Sequence, residues 1–432
     1  MFGCQQVLLT DTEIFPYLEY LCSEANKLTN IGTYYARQLF FKTGKLIGKY
    51  DLDTECKSNP HFRALCAQSA QQVLRSVAES FASYRKLIAK YWKGELTDKP
   101  KLPNYRTKDG LAVIAYPKQA LALKNGMVYF PLGRQVNAWF NIKNFCVAMP
   151  SNLKFENTRE VRILPRNGCY YAEFVYELPA VQSIGNPENV LGIDPGLGNW
   201  LTCVSNLGKS FIIDGLKIKS MNQLYNKQVA TIKKGQPQGF WNEELASITE
   251  KRNRQMRDVI NKAARFVINW CISKQVGIVV FGWNQGNKDS INIGKRNNQE
   301  FVQIPTARLK TRIEQLCNQY GIKFVETEES YTSKASFLDG DFLPKFGEKP
   351  EGWKESGKRV KRGLYRSANG AKINADCNGA ANILRKVATQ LGINLAEVGR
   401  AVLTLPQRYD LFSSLRRSYR IKCEATRLKT VA

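Results

Sequence analysis

A single histidine, His61, stands in the whole chain, so imidazole catalysis has no foundation here. The eleven cysteines never occur as Cys-x-x-Cys and His61 has none nearby, which excludes an ordinary zinc finger or ribbon. Scattered as they are, they read as small core hydrophobes in a reducing cytoplasm. No long uncharged apolar run is present to cross a membrane, so no membrane partner is expected. The N-terminus, MFGCQQVLLTDTE, lacks the basic-then-apolar order of a signal peptide. Acidic residues are scarce: 37 Asp and Glu face 64 Lys and Arg, a net charge of +27. Solubility needs far less, and an excess spread along the whole chain points to a polyanionic partner. With 43% hydrophobic and 23% charged residues, the 432-residue chain is globular and long enough for two or three domains.

Residues 1–12 contain a short strand. Thr10 and Glu13 then have capping-box spacing, and apolar residues recur at three- and four-residue steps (Leu18, Leu21, Leu28, Val73, Val77, Phe81). That pattern predicts a helical domain over 13–98 with a basic exterior. The proline-punctuated KPKLPNY leads into short alternating runs, where Asn167–Gly168 predicts a hairpin; residues 99–185 read as a small β-barrel. From 189 to 395 the order changes. It runs strand 190–194, a hairpin through Asn206 and Gly208, a helical excursion 217–275, strand 276–281, a polar basic loop, helix 304–320, strand 322–328, a second basic loop 334–372 and helix 376–391. This is the RNase H-like order, a mixed sheet flanked by helices with acids at strand ends. Residues 396–432, with Arg416, Arg417, Arg420 and Lys422, read as a flexible basic tail. The expected fold class is therefore multidomain α+β.

Asp194 ends an apolar strand in LGIDPG, and Asp376 opens the last helix in INADCNGAANI. Each alone has an innocent reading, as a turn former or a helix cap. Gly379, Ala380 and Ala381 let that helix lie close to the sheet, which carries Asp376 toward Asp194. Glu329, in VETEESYTS, is the third acid. Three hard oxygen ligands suit Mg²⁺, with Mn²⁺ as the alternative, and in so basic a chain the expected reaction is metal-assisted cleavage of a phosphodiester.

GIDPG, the helix–strand unit leading into VVFGWN, the YTS tripeptide and D-x-N-G-A-A-N-I together resemble TnpB. This is the RuvC-nuclease family of bacterial insertion sequences, related to type V CRISPR effectors. The resemblance covers roughly 189–395; the N-terminal half resembles the family's helical recognition domain and β-barrel wedge domain only in layout. It implies an RNA-guided DNA endonuclease with a guide RNA and a target DNA as partners, reading a short adjacent motif in the bacterial cytoplasm on the nucleoid.

Two departures mark this sequence. Gly282 stands where the family's middle acid follows the second catalytic strand, and the simplest consequence is a dead nuclease. Glu329 lies three residues before the Thr of the T-S pair, at the end of the adjoining strand. Neighbouring strands are about 4.8 Å apart, a gap a glutamate partly spans. Glu328 remains the alternative, because Phe324 and Val325 are both apolar and leave the strand's parity open. The second departure is the missing zinc module: the interval 334–372 holds no cysteine. Its basic end, Lys358, Arg359, Lys361, Arg362 and Arg366, is expected to hold a DNA strand, against the alternative of a solvated loop; Asp339 and Asp341 read as turn formers. On the excursion, Lys251, Arg252, Arg254 and Arg257 are implied to contact the guide–target duplex by charge and shape, with a solvated helix face as the rival. Two other functions compete: a cleavage-deficient RNA-guided DNA binder acting as repressor or targeting factor, and an unguided recombinase or transposase.

Overall fold

Asn167 and Gly168 take left-handed backbone angles, φ 48° and 75°, which suit a two-residue turn between twisted strands. In the computed structural model they join two nine-residue strands, Thr158–Arg166 and Cys169–Glu177, as the alternating pattern predicts. The structure describes residues 2–48, 50–179, 185–284 and 304–411, with the backbone alone at Phe140. The chain divides into two units, Met1–Pro179 and Ala180–Ala432.

In the first unit, β1 (Phe2–Leu8), β2 (Ile114–Pro117), β6 (Thr158–Arg166) and β7 (Cys169–Glu177) form an antiparallel sheet in the order β1-β7-β6-β2. A second sheet holds β3 (Ala122–Lys124), β4 (Met127–Pro131) and β5 (Asn144–Ala148). The helices are α1 (Phe15–Thr43), α2 (Asp51–Cys56), α3 (Pro60–Ala64), α4 (Ala67–Trp92) and α5 (Arg134–Phe140). The periodic residues Leu18, Leu21, Leu28, Val73, Val77 and Phe81 are all buried. They share one core with Ile114, Phe130, Val161 and Phe174 of the strands. Removing that apolar face from water is what holds helices to sheet.

The second unit is built on β8 (Asn186–Pro195), β9 (Asn199–Ser205), β10 (Lys209–Asp214), β11 (Val276–Gly282) and β12 (Lys323–Thr327). β8, β9 and β10 run antiparallel in a meander, while β11 and β12 run parallel to β8, giving the order β12-β11-β8-β9-β10. This is the RNase H-like arrangement. Alternate residues of β8 serve opposite faces. Leu191 and Ile193 pack with α6 (Leu216–Lys233), α7 (Glu243–Ser273) and α8 (Thr306–Gln319). Val190 packs with Ile383 and Leu384 of α9 (Ala375–Leu391) on the other face. Among the described residues, no helix is long and apolar enough to cross a membrane.

Two expectations need correction. The interval 334–372 is not simply a loop: β13 (Lys358–Lys361) and β14 (Leu364–Arg366) lie within it and form a small antiparallel sheet with β15 (Lys372–Asn374), which begins at its end. The expected flexible tail is ordered up to Leu411, through α10 (Arg400–Thr404) and β16 (Gln407–Tyr409). β16 adds in parallel to β10 as a sixth strand, and the Tyr409 ring packs against Phe266 (tilted) and Phe211 (edge-on) at 4.5 and 6.0 Å between ring centroids. Burial of that ring supplies the apolar anchor that so basic a stretch does not advertise. Arg416, Arg417, Arg420 and Lys422 lie outside the described residues, as does most of the polar loop after β11.

Candidate active site

A Cβ on Gly192 would lie 2.5 Å from Leu384 Cγ and 2.9 Å from the Ala380 carbonyl oxygen. The missing side chain lets α9 rest directly on β8. Gly379 repeats the device from the other side, since a Cβ there would come within 2.6 Å of Asp194 Oδ2. The end of β8 and the first turn of α9 are thus in contact, with Asp194 on one and Asp376 on the other. Asp376 is not the helix cap: Asn374 Oδ1 accepts from the Asp376 and Cys377 amides at 2.9 and 3.0 Å. Its carboxylate is left for other work.

Glu329 follows β12, whose Thr327 pairs with Gly282 of β11. A Cβ on Gly282 would stand 2.9 Å from Glu329 Cγ, 3.0 Å from Glu329 Oε1 and 2.5 Å from Ile383 Cδ1. The Glu329 side chain therefore fills the space above Gly282. Its backbone is held on both sides, the amide donating to Asn284 Oδ1 (2.9 Å) and the carbonyl accepting from the Thr332 amide (3.1 Å) and hydroxyl (2.8 Å). Asn382 in turn donates to the carbonyls of Thr332 (2.9 Å) and Ala335 (2.8 Å). Asn378 donates to Ala335 (2.8 Å) and accepts from the Phe337 amide (3.0 Å). These two fully buried asparagines fasten the YTS segment to α9, a role the sequence reading missed. Their spacing of four on one helix was the available signal. Glu328 is engaged differently: Lys386 Nζ donates to Oε1 at 2.7 Å and the Phe346 amide to Oε2 at 3.1 Å. Burial pushes its carboxyl up, but those hydrogen bonds and the Lys386 charge outweigh it and hold it below the ordinary value.

The three acids share one electrostatic neighbourhood. The Asp194 carboxyl is raised well above its ordinary value, first by burial and then by Glu329 and Asp376, with Arg359 opposing. Burial pushes Glu329 up to about 7, and its buried Oε1 has no hydrogen-bond partner. Asp376 accepts from Asn199 Nδ2 at 2.6 Å on Oδ2 and from Arg359 Nη2 at 3.3 Å on Oδ1. Among the described residues, no three His, Cys, Asp or Glu side chains are assembled as a ready metal-binding cluster. The donor set nonetheless fits a hard divalent cation: Glu329 and Asp376 both press electrostatically on Asp194, and the buried Oε1 of Glu329 lacks a hydrogen-bond partner. Arg359 is the cation that lowers Asp194 against that crowding.

Lys358, Arg359, Lys361, Arg362 and Arg366 are all exposed on the β13–β14 hairpin. Asp339 and Asp341 are more than turn formers, because they clamp that hairpin's two ends. Asp341 Oδ2 accepts from the amides of Ser336 (2.7 Å) and Ser356 (3.1 Å), and Asp339 Oδ2 accepts from the Ala368 amide (2.8 Å). On α7 the four basic residues separate. Lys251 and Arg254 are exposed. Arg252 donates to Asn222 Oδ1 at 3.0 and 2.8 Å and lies over the Tyr225 ring, while Arg257 pairs with the buried Glu250 at 3.0 Å.

Residues 173–287 match the OrfB_IS605 family, described as a probable transposase, and residues 307–383 match the TNB domain of the Cas12f1-like family. No curated protein matches the chain. Among solved structures, a Cas12f1–sgRNA–target DNA complex superposes with a TM-score of 0.59 at 17% identity, over 86% of this chain and 82% of that one. A likeness at that identity speaks to the fold. CasPhi-2 (Cas12j) bound to crRNA gives 0.37 at 10% identity, over 90% and 98%, too loose a superposition to bear on it. The matched segments contain Asp194, Gly282, Glu329 and Asp376 between them. Those two segments make up less than half of the 432 residues, and over them the chain is similar to the OrfB_IS605 and Cas12f1-like families.

Proposed function

We propose that this protein is an RNA-guided DNA endonuclease of the TnpB type, with Asp194, Glu329 and Asp376 as its metal ligands. The observation that carries the proposal is the Glu329 carboxyl lying over Gly282, in the space the family's middle acid would otherwise need. Mg²⁺ held by these carboxylates, with Mn²⁺ as a substitute, would supply an activated water and charge stabilisation at the departing 3′ oxygen. Asp194 is fixed by the β8–α9 contact, and Glu329 gives up its proton as the site charges. Arg359 exchanges the Asp376 carboxylate for a backbone phosphate, and the exposed cations beside it hold the strand that enters. The similarity to Cas12f1, solved with sgRNA and target DNA, supports a guide RNA and a target DNA as partners. Residues 1–12 and 99–185 would act as the wedge and 13–98 as the recognition domain, reading the scaffold and a short adjacent motif. Such work places the protein on the nucleoid.

One rival keeps a specific observation: Gly282, standing where the family's middle acid would be, favours a cleavage-deficient RNA-guided DNA binder. Expression with the chain's own flanking DNA, recovery of any copurified RNA and plasmid cutting in Mg²⁺ decide between them. Nuclease function requires that the wild type cuts, that Asp194→Ala and Glu329→Ala abolish cutting, and that Glu328→Ala leaves it. RNA-dependent target binding without any nicking establishes the rival.

A further inference from the structure

Asn199 opens β9 and stands between two charged groups. Its Nδ2 donates to Asp376 Oδ2 at 2.6 Å, and its Oδ1 accepts from Arg408 Nη2, also at 2.6 Å. Arg408 is itself anchored: its Nη1 donates to Asp214 Oδ2 at 2.5 Å, and the other Asp214 oxygen accepts from the Leu216 amide at 2.7 Å. An amide side chain can turn either end toward a neighbour. A guanidinium only donates, however, and an ionised carboxylate only accepts. With Arg408 on one side the amide has one acceptable orientation, oxygen toward Arg408 and nitrogen toward Asp376. Arg408 reaches this point because β16 pairs with β10, Ile212 opposite Arg408. It lies beyond both segments that match known families.

The geometry points to Asn199 and Arg408 as positioning residues for Asp376, an inference that rests on the nuclease reading. The relay fixes the rotation of the Asp376 carboxyl by occupying Oδ2. Oδ1, the oxygen that meets Arg359, is then the atom presented for ligation. A carboxylate held in one rotamer before the cation arrives loses less freedom on binding it, and partners of this kind outside the ligand set commonly change affinity or activity by about 10–100-fold.

The test uses the full chain with its copurified RNA and four readouts: Mn²⁺ affinity by spin-resonance titration, target-DNA affinity in Ca²⁺, single-turnover cutting at saturating Mg²⁺, and the thermal midpoint. Asn199→Ala and Arg408→Gln are expected to weaken Mn²⁺ binding and slow cutting by about tenfold each, with target affinity unchanged within about twofold. Arg408→Lys, which keeps one donor for Asn199, recovers part of both losses. Asp214→Ala loosens the strand anchor but leaves the Asn199 contacts, so it should lower the thermal midpoint more than the Mn²⁺ affinity. A wild type that binds Mn²⁺ and cuts, with Asn199→Ala and Arg408→Gln matching it, overturns the positioning role alone. So does an Asp214→Ala variant that copies Arg408→Gln in every readout. A wild type that binds no Mn²⁺ and never cuts overturns the nuclease reading and this inference together.

Discussion

The Glu329 carboxyl and a side chain at Gly282 exclude one another. With Glu329 Cγ 2.9 Å and Ile383 Cδ1 2.5 Å from the position of a Cβ on residue 282, there is room for one of the two side chains. Gly282→Glu alone is therefore expected to destabilise the fold by about 1–3 kcal/mol through overpacking and to add no activity. Combined with Glu329→Gly and Ile383→Ala, the same glutamate gains space, and cutting should exceed that of Glu329→Gly/Ile383→Ala without it. Thermal midpoints and single-turnover rates check both halves.

Stability of the metal-free protein should fall as pH rises from about 4.5 to about 7. Glu329 titrates near the lower value when unfolded and near the upper one when buried, so the fold holds its proton more tightly. The stability this gives is complete below the lower value and is lost on passing the upper, at most about 3 kcal/mol. Asp194 is displaced in the same direction and adds to the trend. Glu329→Gln should flatten the slope, and Mg²⁺ added above pH 7 should restore stability. Denaturant midpoints across pH, with and without the ion, measure this.

Asp339 and Asp341 tie the two ends of the hairpin that brings Arg359 to Asp376. Losing a carboxylate that accepts backbone amides costs about 1–3 kcal/mol locally. Asp341→Ala should raise amide exchange across 356–366 and slow cutting to the level of Arg359→Ala, with β8 and α9 still protected. Exchange measured by mass spectrometry resolves those segments.

The basic residues of α7 should separate into two classes. Lys251→Ala and Arg254→Ala are expected to weaken RNA and DNA binding and to make the salt dependence shallower, by a slope of about one for each phosphate no longer neutralised. Arg252→Ala and Arg257→Ala should lower the thermal midpoint instead, since their partners Asn222 and Glu250 would be deprived of those donors. Filter binding at several salt concentrations, beside melting curves, distinguishes them.

The parts of this molecule that period and turn chemistry control were legible in advance. The apolar run before Asp194 buries alternate residues on opposite faces, and Asn167–Gly168 turns as its dipeptide requires. Features held by long-range polar contacts were not. The β13–β14 hairpin is mostly exposed and buries Tyr365 alone, so KRVKRGLYR shows little apolar alternation; Asp339 and Asp341, which tie its ends, lie outside it. Strand β16 is three residues long and is recognised only by what Tyr409 touches. Arg252 looked no different from Arg254, because its partner Asn222 lies on another helix.

The three acids are not mounted alike. Asp194 and Asp376 ride on a strand and a helix that Gly192 and Gly379 allow to meet closely. Glu329 sits past the end of its strand, on a stretch of chain tethered by side-chain amides. The third carboxyl therefore owes its place to those amides, whereas the other two owe theirs to the strand–helix joint.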